Sequence, residues 1–182
     1  MTSKSTSVNS QRQFIRYVVL DWNIIQYWLS PKMRKAITPV LNDMDTANLQ
    51  FTVSDISIYE AQRKIPTGKH MESVNFLDAF PRFPIEKIIL TLTGSVVSCY
   101  HDHDMTKSHS SEISLQDSIN AASCLASGAL LVTADYNDYP RPFFNEVYRW
   151  DIANEKGNSQ KIYLLEPDTN QFIKHIAKWL KH

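Results

Sequence analysis

The chain predicts an α/β domain built on a central, mainly parallel sheet. Two apolar runs each end on an aspartate, Tyr17-Val-Val-Leu-Asp21 and Leu130-Leu-Val-Thr-Ala-Asp135. β-Branched and leucine-rich runs of this length read as buried strands of a parallel sheet. Other strand-like runs alternate with helix-period segments, the pattern of right-handed crossovers whose helices cover both faces of the sheet. Ligands gather beyond the carboxyl ends of the strands in such a sheet. A carboxylate at the end of two strands therefore marks a place for a hard cation.

In chain order, Phe14 to Leu20 makes the first strand, and Trp22 to Leu29 opens a helix that Ser30-Pro31 interrupts. From about Met33 to Met44, Ile37, Val40, Leu41 and Met44 recur at helical spacing. Leu49 to Val53 is a second short strand. Ser54 or Asp55 caps the next helix, which holds Ile56, Tyr59, Glu60 and Arg63. Thr67-Gly68-Lys69 breaks it, and Met71 to Phe80 forms another helix. Ile85 to Leu92 is predicted as a third strand, followed by a helix from about Ser95 to His101 and a polar loop, His101 to Ser111. A helix from Ser114 to Ser127 buries Ile119, Ala122, Leu125 and Ala126, stops at Gly128 and feeds the strand Ala129 to Thr133. The Pro-, Tyr- and Asn-rich region Tyr136 to Ser159 resists assignment. Lys161 to Leu165 makes a last strand, and Asp168 or Thr169 caps a terminal amphipathic helix with Phe172, Ile173, Ile176, Trp179 and Leu180.

The 182 residues suit one domain, residues 14–182, behind a polar, mobile tail, residues 1–13, that has no hydrophobic signal core. Nineteen basic and nineteen acidic residues balance to zero, so net charge offers no evidence of tight, nonspecific nucleic-acid binding. Cys99 and Cys124 lack metal-type spacing and read as small core residues of a reduced compartment. No run reaches the roughly 18 apolar residues of a membrane span. A cytoplasmic location is the default expectation.

Four acids fall where this topology can gather them. Asp21 and Asp135 end strands, Glu60 lies on the helix after the second strand, and Asp117 opens the helix that feeds the Asp135 strand. That strand runs back after Gly128, so the start of the helix lies at the same edge as the end of the strand. Clustered carboxylates raise one another's pKa unless a cation compensates. Mg²⁺ and Mn²⁺ prefer such oxygen ligands and can activate water and position a phosphodiester for in-line displacement. Each acid also has a plainer reading. Asp21 can cap the Trp22 helix, Asp117 stands at capping-box spacing from Ser114, Glu60 can pair with Lys64, and Asp135 can serve a turn.

The motifs resemble those of the PIN-domain family. Val18-Val-Leu-Asp-Trp-Asn-Ile-Ile25 is similar to its opening Asp-x-Asn motif, and Ile56-Ser-Ile-Tyr-Glu60 to its second acidic motif. Asp117-Ser-Ile-Asn-Ala-Ala-Ser-Cys124 and Gly128-Ala-Leu-Leu-Val-Thr-Ala-Asp135 are similar to the third and fourth. The last block is the most specific, and the matches span about Tyr17 to Asp138. Size and motif order resemble those of VapC-type toxins of bacterial and archaeal toxin–antitoxin pairs. The resemblance implies a three-layer α/β/α sandwich and a Mg²⁺- or Mn²⁺-dependent endoribonuclease. Asp21, Glu60, Asp117 and Asp135 would be its metal-binding catalytic carboxylates, with Asn23 and Thr133 in support. It also implies an RNA substrate, an antitoxin protein whose Arg or Lys neutralises the acids, and pairing of copies through helices.

The chain departs from the family pattern at three places. Trp22 replaces the small hydroxyl residue between the Asp and the Asn. Asn137 fills the slot of a further acid, leaving Asp138 as a supporting candidate. The segment from Tyr139 to Ser159 exceeds that of compact members. Its aromatics (Tyr139, Phe143, Phe144, Tyr148, Trp150) suit either base stacking or packing in a core or dimer. Arg12, Arg16, Lys32, Arg34 and Lys35 are candidates to line an RNA path. His101-Asp-His-Asp104 with His109 lacks the spacing of a zinc site. Competing functions are a catalytically weak or inactive PIN-like module that binds RNA or protein, and a flap-type DNA nuclease, for which the long basic insertions are missing.

Overall fold

A computed structural model describes residues 16–64, 70–102, 114–139, 141–154 and 156–179. The expected tail, the helix break at 67–69, Arg12, His103, His109 and Leu180 lie outside them. Six strands form one sheet in the order β3-β2-β1-β4-β6-β5. They are β1 Arg16–Leu20, β2 Leu49–Ser54, β3 Arg82–Phe83, β4 Leu130–Thr133, β5 Phe144–Ala153 and β6 Ser159–Pro167. The first four run parallel, β1 between β2 and β4, with β3 beyond β2. A hairpin then adds β6 antiparallel to β4, and β5 antiparallel to β6.

Local chemistry sets where the helices begin and end. The Asp21 side chain accepts the Trp22 N–H and so starts α1 (Trp22–Leu29). Ser30 then caps α2 (Pro31–Thr46), and Pro31, whose missing N–H costs nothing in a first turn, separates the two helices. α3 (Asp55–Lys64) and α4 (His70–Leu77) follow β2. α6 (Leu115–Ser127) stops at Gly128, whose φ of 68° is the left-handed cap conformation. Asp168 accepts the Gln171 N–H at 3.0 Å and caps α7 (Thr169–Trp179).

Alternation along the strands divides the interior into two cores. Val19 and Leu131 pack with Ile89, Val96 and Cys99 of α5 (Lys87–Asp102), Ile119 and Ala122 of α6, and Phe172 of α7. Val18, Leu20, Leu130 and Val132 pack instead with Ile24, Ile25, Ile37, Val40 and Met44 of α1 and α2. Helices therefore cover both faces of the sheet, and Cys99 and Cys124 are free and buried. No helix among the described residues is long and apolar enough to cross a membrane.

Several expectations need correction. The predicted strand Ile85 to Leu92 is the first half of α5, and β3 is only Arg82–Phe83. Ile88 and Leu90 face solvent while Ile89, Thr93, Val96 and Tyr100 are buried, a 3.6-residue period that a short β-branched run conceals. Ala126 is exposed, and the buried face of α6 instead runs from Gln116 to Cys124. Ile173 also faces solvent. The unassigned region proves to be β5 and its turn into β6, where Gly157 takes a φ of 77°.

Candidate functional site

Asp21 sits where β1 ends, its own N–H still bonded to the Val132 carbonyl at 3.1 Å. The residue is buried, and four donors converge on its carboxylate. The Trp22 N–H (2.7 Å) and Asn120 Nδ2 (3.3 Å) donate to Oδ1, while Asn23 Nδ2 (2.8 Å) and Thr133 Oγ1 (2.7 Å) donate to Oδ2. Asn23 also accepts the Ala134 N–H at 2.9 Å, tying the start of α1 to the end of β4. Burial nevertheless outweighs these donors and raises the Asp21 pKa, with the charge of Asp135 adding to the rise.

Asp117 occupies the first turn of α6, where Tyr139 donates its hydroxyl to Oδ1 at 3.3 Å. Ser114 makes no side-chain cap of the helix, though its hydrogen bond with the Asp117 side chain partly offsets the rise in the Asp117 pKa. Asp135 follows β4 and accepts the Asn137 N–H at 3.0 Å, capping a short 3-10 turn, Tyr136–Asp138. Asp138 stands at the end of that turn with part of its surface in solvent. Desolvation, then the charges of Asp21 and Asp138, push Asp117 up to about 8. Desolvation, then the charges of Asp135 and Asp21, push Asp138 to about 6. Asp21 thus feels the charge of Asp135, Asp117 those of Asp21 and Asp138, and Asp138 those of Asp135 and Asp21.

Asn120 and Tyr139 hold this group together, a role the sequence assigned to neither. Asn120 accepts the Ser54 hydroxyl from the end of β2 at 2.6 Å and donates to Asp21 and, at 3.5 Å, to the Tyr139 oxygen. One amide thereby connects β2, β1 and the segment after β4. The available signal was a carboxamide, donor and acceptor in one side chain, one helical turn beyond Asp117.

Glu60 differs from the aspartates. It is buried on α3, with its Oε1 3.0 Å from Arg63 Nη2. It follows Ser57 by one turn, and the Ser57 hydroxyl lies 3.4 Å from that of Ser54, so its helix face adjoins the Asn120 network. Among the described residues, no three His, Cys, Asp or Glu side chains form a group able to hold a metal ion by themselves. Other candidates also change role. Arg16 lies at the amino end of β1, away from Asp21, in an ion pair with Glu166. Tyr139, Phe143 and Phe144 are fully buried and belong to the core, which removes them as stacking surfaces.

The fold is similar to that of a chain in the crystal structure of VapBC2 from Rickettsia felis, solved bound to a DNA fragment from their promoter. The match has a TM-score of 0.54 at 17% sequence identity and covers 69% of this chain and 93% of that one. No family model and no curated protein sequence matches the chain.

Proposed function

We propose that the chain is a Mg²⁺- or Mn²⁺-dependent endoribonuclease of the PIN type, the toxin of a toxin–antitoxin pair, built as a three-layer α/β/α sandwich. The observation that carries this reading is the linkage of three aspartates at the carboxyl edge of the parallel strands: Asn120 and Tyr139 join Asp21 to Asp117, and Thr133 joins Asp21 to the Asp135 backbone. Its support is the resemblance of the motifs and the likeness of fold to a chain of a VapBC complex.

The donor set fits a hydrated hard cation. Mg²⁺ keeps several waters and commonly takes only one or two carboxylates directly, so a ready-made group of three is not required. Burial and neighbouring carboxylates both disfavour the charged forms here, and a bound cation would offset both. Asp21, Asp117 and Asp135, with Glu60 from α3, would hold the ion, and Asp138 extends the set at the rim. When bound, the ion would supply Lewis-acid stabilisation of a phosphodiester oxygen. The chain's own part is positional. Asn23 and Thr133 fix the Asp21 carboxylate, Asn120 and Tyr139 set Asp21 and Asp117 relative to each other, and Arg63 holds Glu60.

The test is cleavage of structured and single-stranded RNA by purified protein with Mn²⁺. Asp21→Asn is expected to lower the rate about 10²–10³-fold, the usual cost of losing one preorganised electrostatic group. Cleavage unaffected by this change, or absent from the wild type, sinks the reading.

The Glu60–Arg63 ion pair favours a second reading, a catalytically inactive module that binds RNA or protein. Calorimetry decides between them. No heat of Mn²⁺ binding near neutral pH supports the module, and binding lost in Asp21→Asn supports the nuclease.

A further inference from the structure

A cavity of about 950 Å³ opens beside the acids, among α1, the start of α2, α4 and the β5–β6 turn. It falls in the range of about 300–1,000 Å³ common for ligand sites. Three links place it next to the aspartates. Trp22, in its wall, directly follows Asp21. Tyr27, also in the wall, has its hydroxyl pKa raised by burial and then by the charge of Asp135. Gln160, across the cavity, donates Nε2 to the Ala134 carbonyl at 3.3 Å.

The chemistry of the wall is selective. Trp22, Tyr27 and Phe76 offer aromatic surface, and Gln26 offers a carboxamide with both donor and acceptor. Arg34 and Lys156 supply positive charge, and among the described residues the lining contains no acid. Trp22 is 3% exposed, yet its indole Nε1–H has no hydrogen-bond partner. That donor is itself occluded, so what Trp22 gives the cavity is the edge of its ring. A π-surface, a carboxamide and two cations together match a nucleobase joined to phosphate. They do not match the basic segment that would neutralise the acids next door, which would meet Arg34 and Lys156 as like charges.

We propose that this cavity is a subsite for one unpaired nucleotide of an RNA strand whose adjacent phosphodiester lies at the aspartates. The subsite rests on the ribonuclease reading for its place on the substrate, but its binding can be measured separately. An aromatic residue supplies stacking that every base accepts, while Gln26 discriminates among base edges. Arg34 and Lys156 hold the flanking phosphates. Trp22, the departure from the family's small hydroxyl residue, thus becomes part of the binding wall.

The experiment uses the full chain in EDTA, with the anisotropy of fluorescein-labelled hexaribonucleotides of A, C and U as the readout. Gln26→Ala and Lys156→Ala alter exposed residues with little risk to folding. Gln26→Ala is expected to weaken the best-bound oligomer about tenfold, and Lys156→Ala to weaken all three about equally. Unchanged affinity in Gln26→Ala and Lys156→Ala overturns the subsite and leaves the cavity to a protein partner. Cleavage by the same samples with Mn²⁺ separates the two claims. Wild-type cleavage with unaltered binding in the variants removes only the subsite. Binding lost in the variants, without any wild-type cleavage, removes only the nuclease.

Discussion

The parallel strands β1 and β4 and the antiparallel hairpin β5–β6 belong to one sheet, but they meet solvent and the acids differently. Val18, Val19 and Leu20 of β1 and every residue of β4 are buried, whereas most of β5 is exposed or half-exposed. Parallel strands bring their carboxyl ends to a single edge, so the residues just past β1 and β4, Asp21 and Asp135, share a neighbourhood. An antiparallel hairpin cannot concentrate strand ends in this way. Its contribution is to reach past the edge. Tyr163 pairs with Thr133, so Ser159 to Ile162 and the preceding turn run beyond the end of β4 toward Asp135 and the cavity. One half thus gathers charge, and the other builds a wall beside it.

The hairpin's dependence on the core is tested first, because the effect is large. Phe143, at its root, is fully buried against Tyr100 and Phe172. Phe143→Ala should cost about 3–5 kcal/mol by lost burial and the cavity left behind. Tyr148→Ala, farther along β5 on an exposed face, should stay within about 0.5 kcal/mol. Urea titration of both variants measures the contrast, and similar losses would mean that the hairpin is stabilised along its whole length rather than at its root.

The same division explains what could be read from the chain alone. Strands buried on both faces give continuous apolar runs, which is why β1 and β4 were legible along with the acids that end them. β5 alternates between exposed and half-buried positions within a Pro- and Asn-rich stretch, and its pairing depends on β6, which comes later in the chain. The first half of α5 was misread because Ile88, Ile89 and Leu90 are adjacent in sequence, while their helical period emerges only across Thr93, Val96 and Tyr100. Asp21, Asp117 and Asp135 could be named from motif order. The role of Asn120 could not, since a lone amide in a helix is legible as a connector only when its three partners, from distant segments, are seen around it.

That connector provides the next test, at the seam between strand ends. Asn120→Ala strips a donor from Asp21 and leaves the Ser54 hydroxyl without its acceptor at 2.6 Å. The expected cost is about 1–3 kcal/mol, the penalty for a buried polar group losing its partner. Losing a donor to the charged form also raises the Asp21 pKa further, so Mn²⁺ affinity should require a higher pH than in the wild type. Calorimetric titration across pH reads this directly. A variant less stable but with an unaltered pH profile would make Asn120 a packing residue only.

The effect at Asp117 has the most informative sign. Asp117 has a pKa raised to about 8 from an ordinary value of 3.8, chiefly by desolvation and then by Asp21 and Asp138. Between these values the folded chain holds a proton that the unfolded chain has released, so stability falls as pH rises and is greatest below about 4. Asp117→Asn imitates the protonated side chain at every pH. It should therefore match the wild type near pH 4 and exceed it at pH 8, by about 2–4 °C in Tm for each ~1 kcal/mol gained in a domain of this size. Saturating Mn²⁺ should narrow the difference at pH 8, because the ion stabilises the charged wild-type site and has less to bind in the variant. Melting curves at both pH values, with and without Mn²⁺, give four numbers. An equal difference at pH 4 and pH 8 would separate Asp117 from the charge cluster. A difference that grows with pH but ignores Mn²⁺ would keep the cluster and deny it the cation, since aspartates this close relieve their repulsion either by binding protons or by binding a metal.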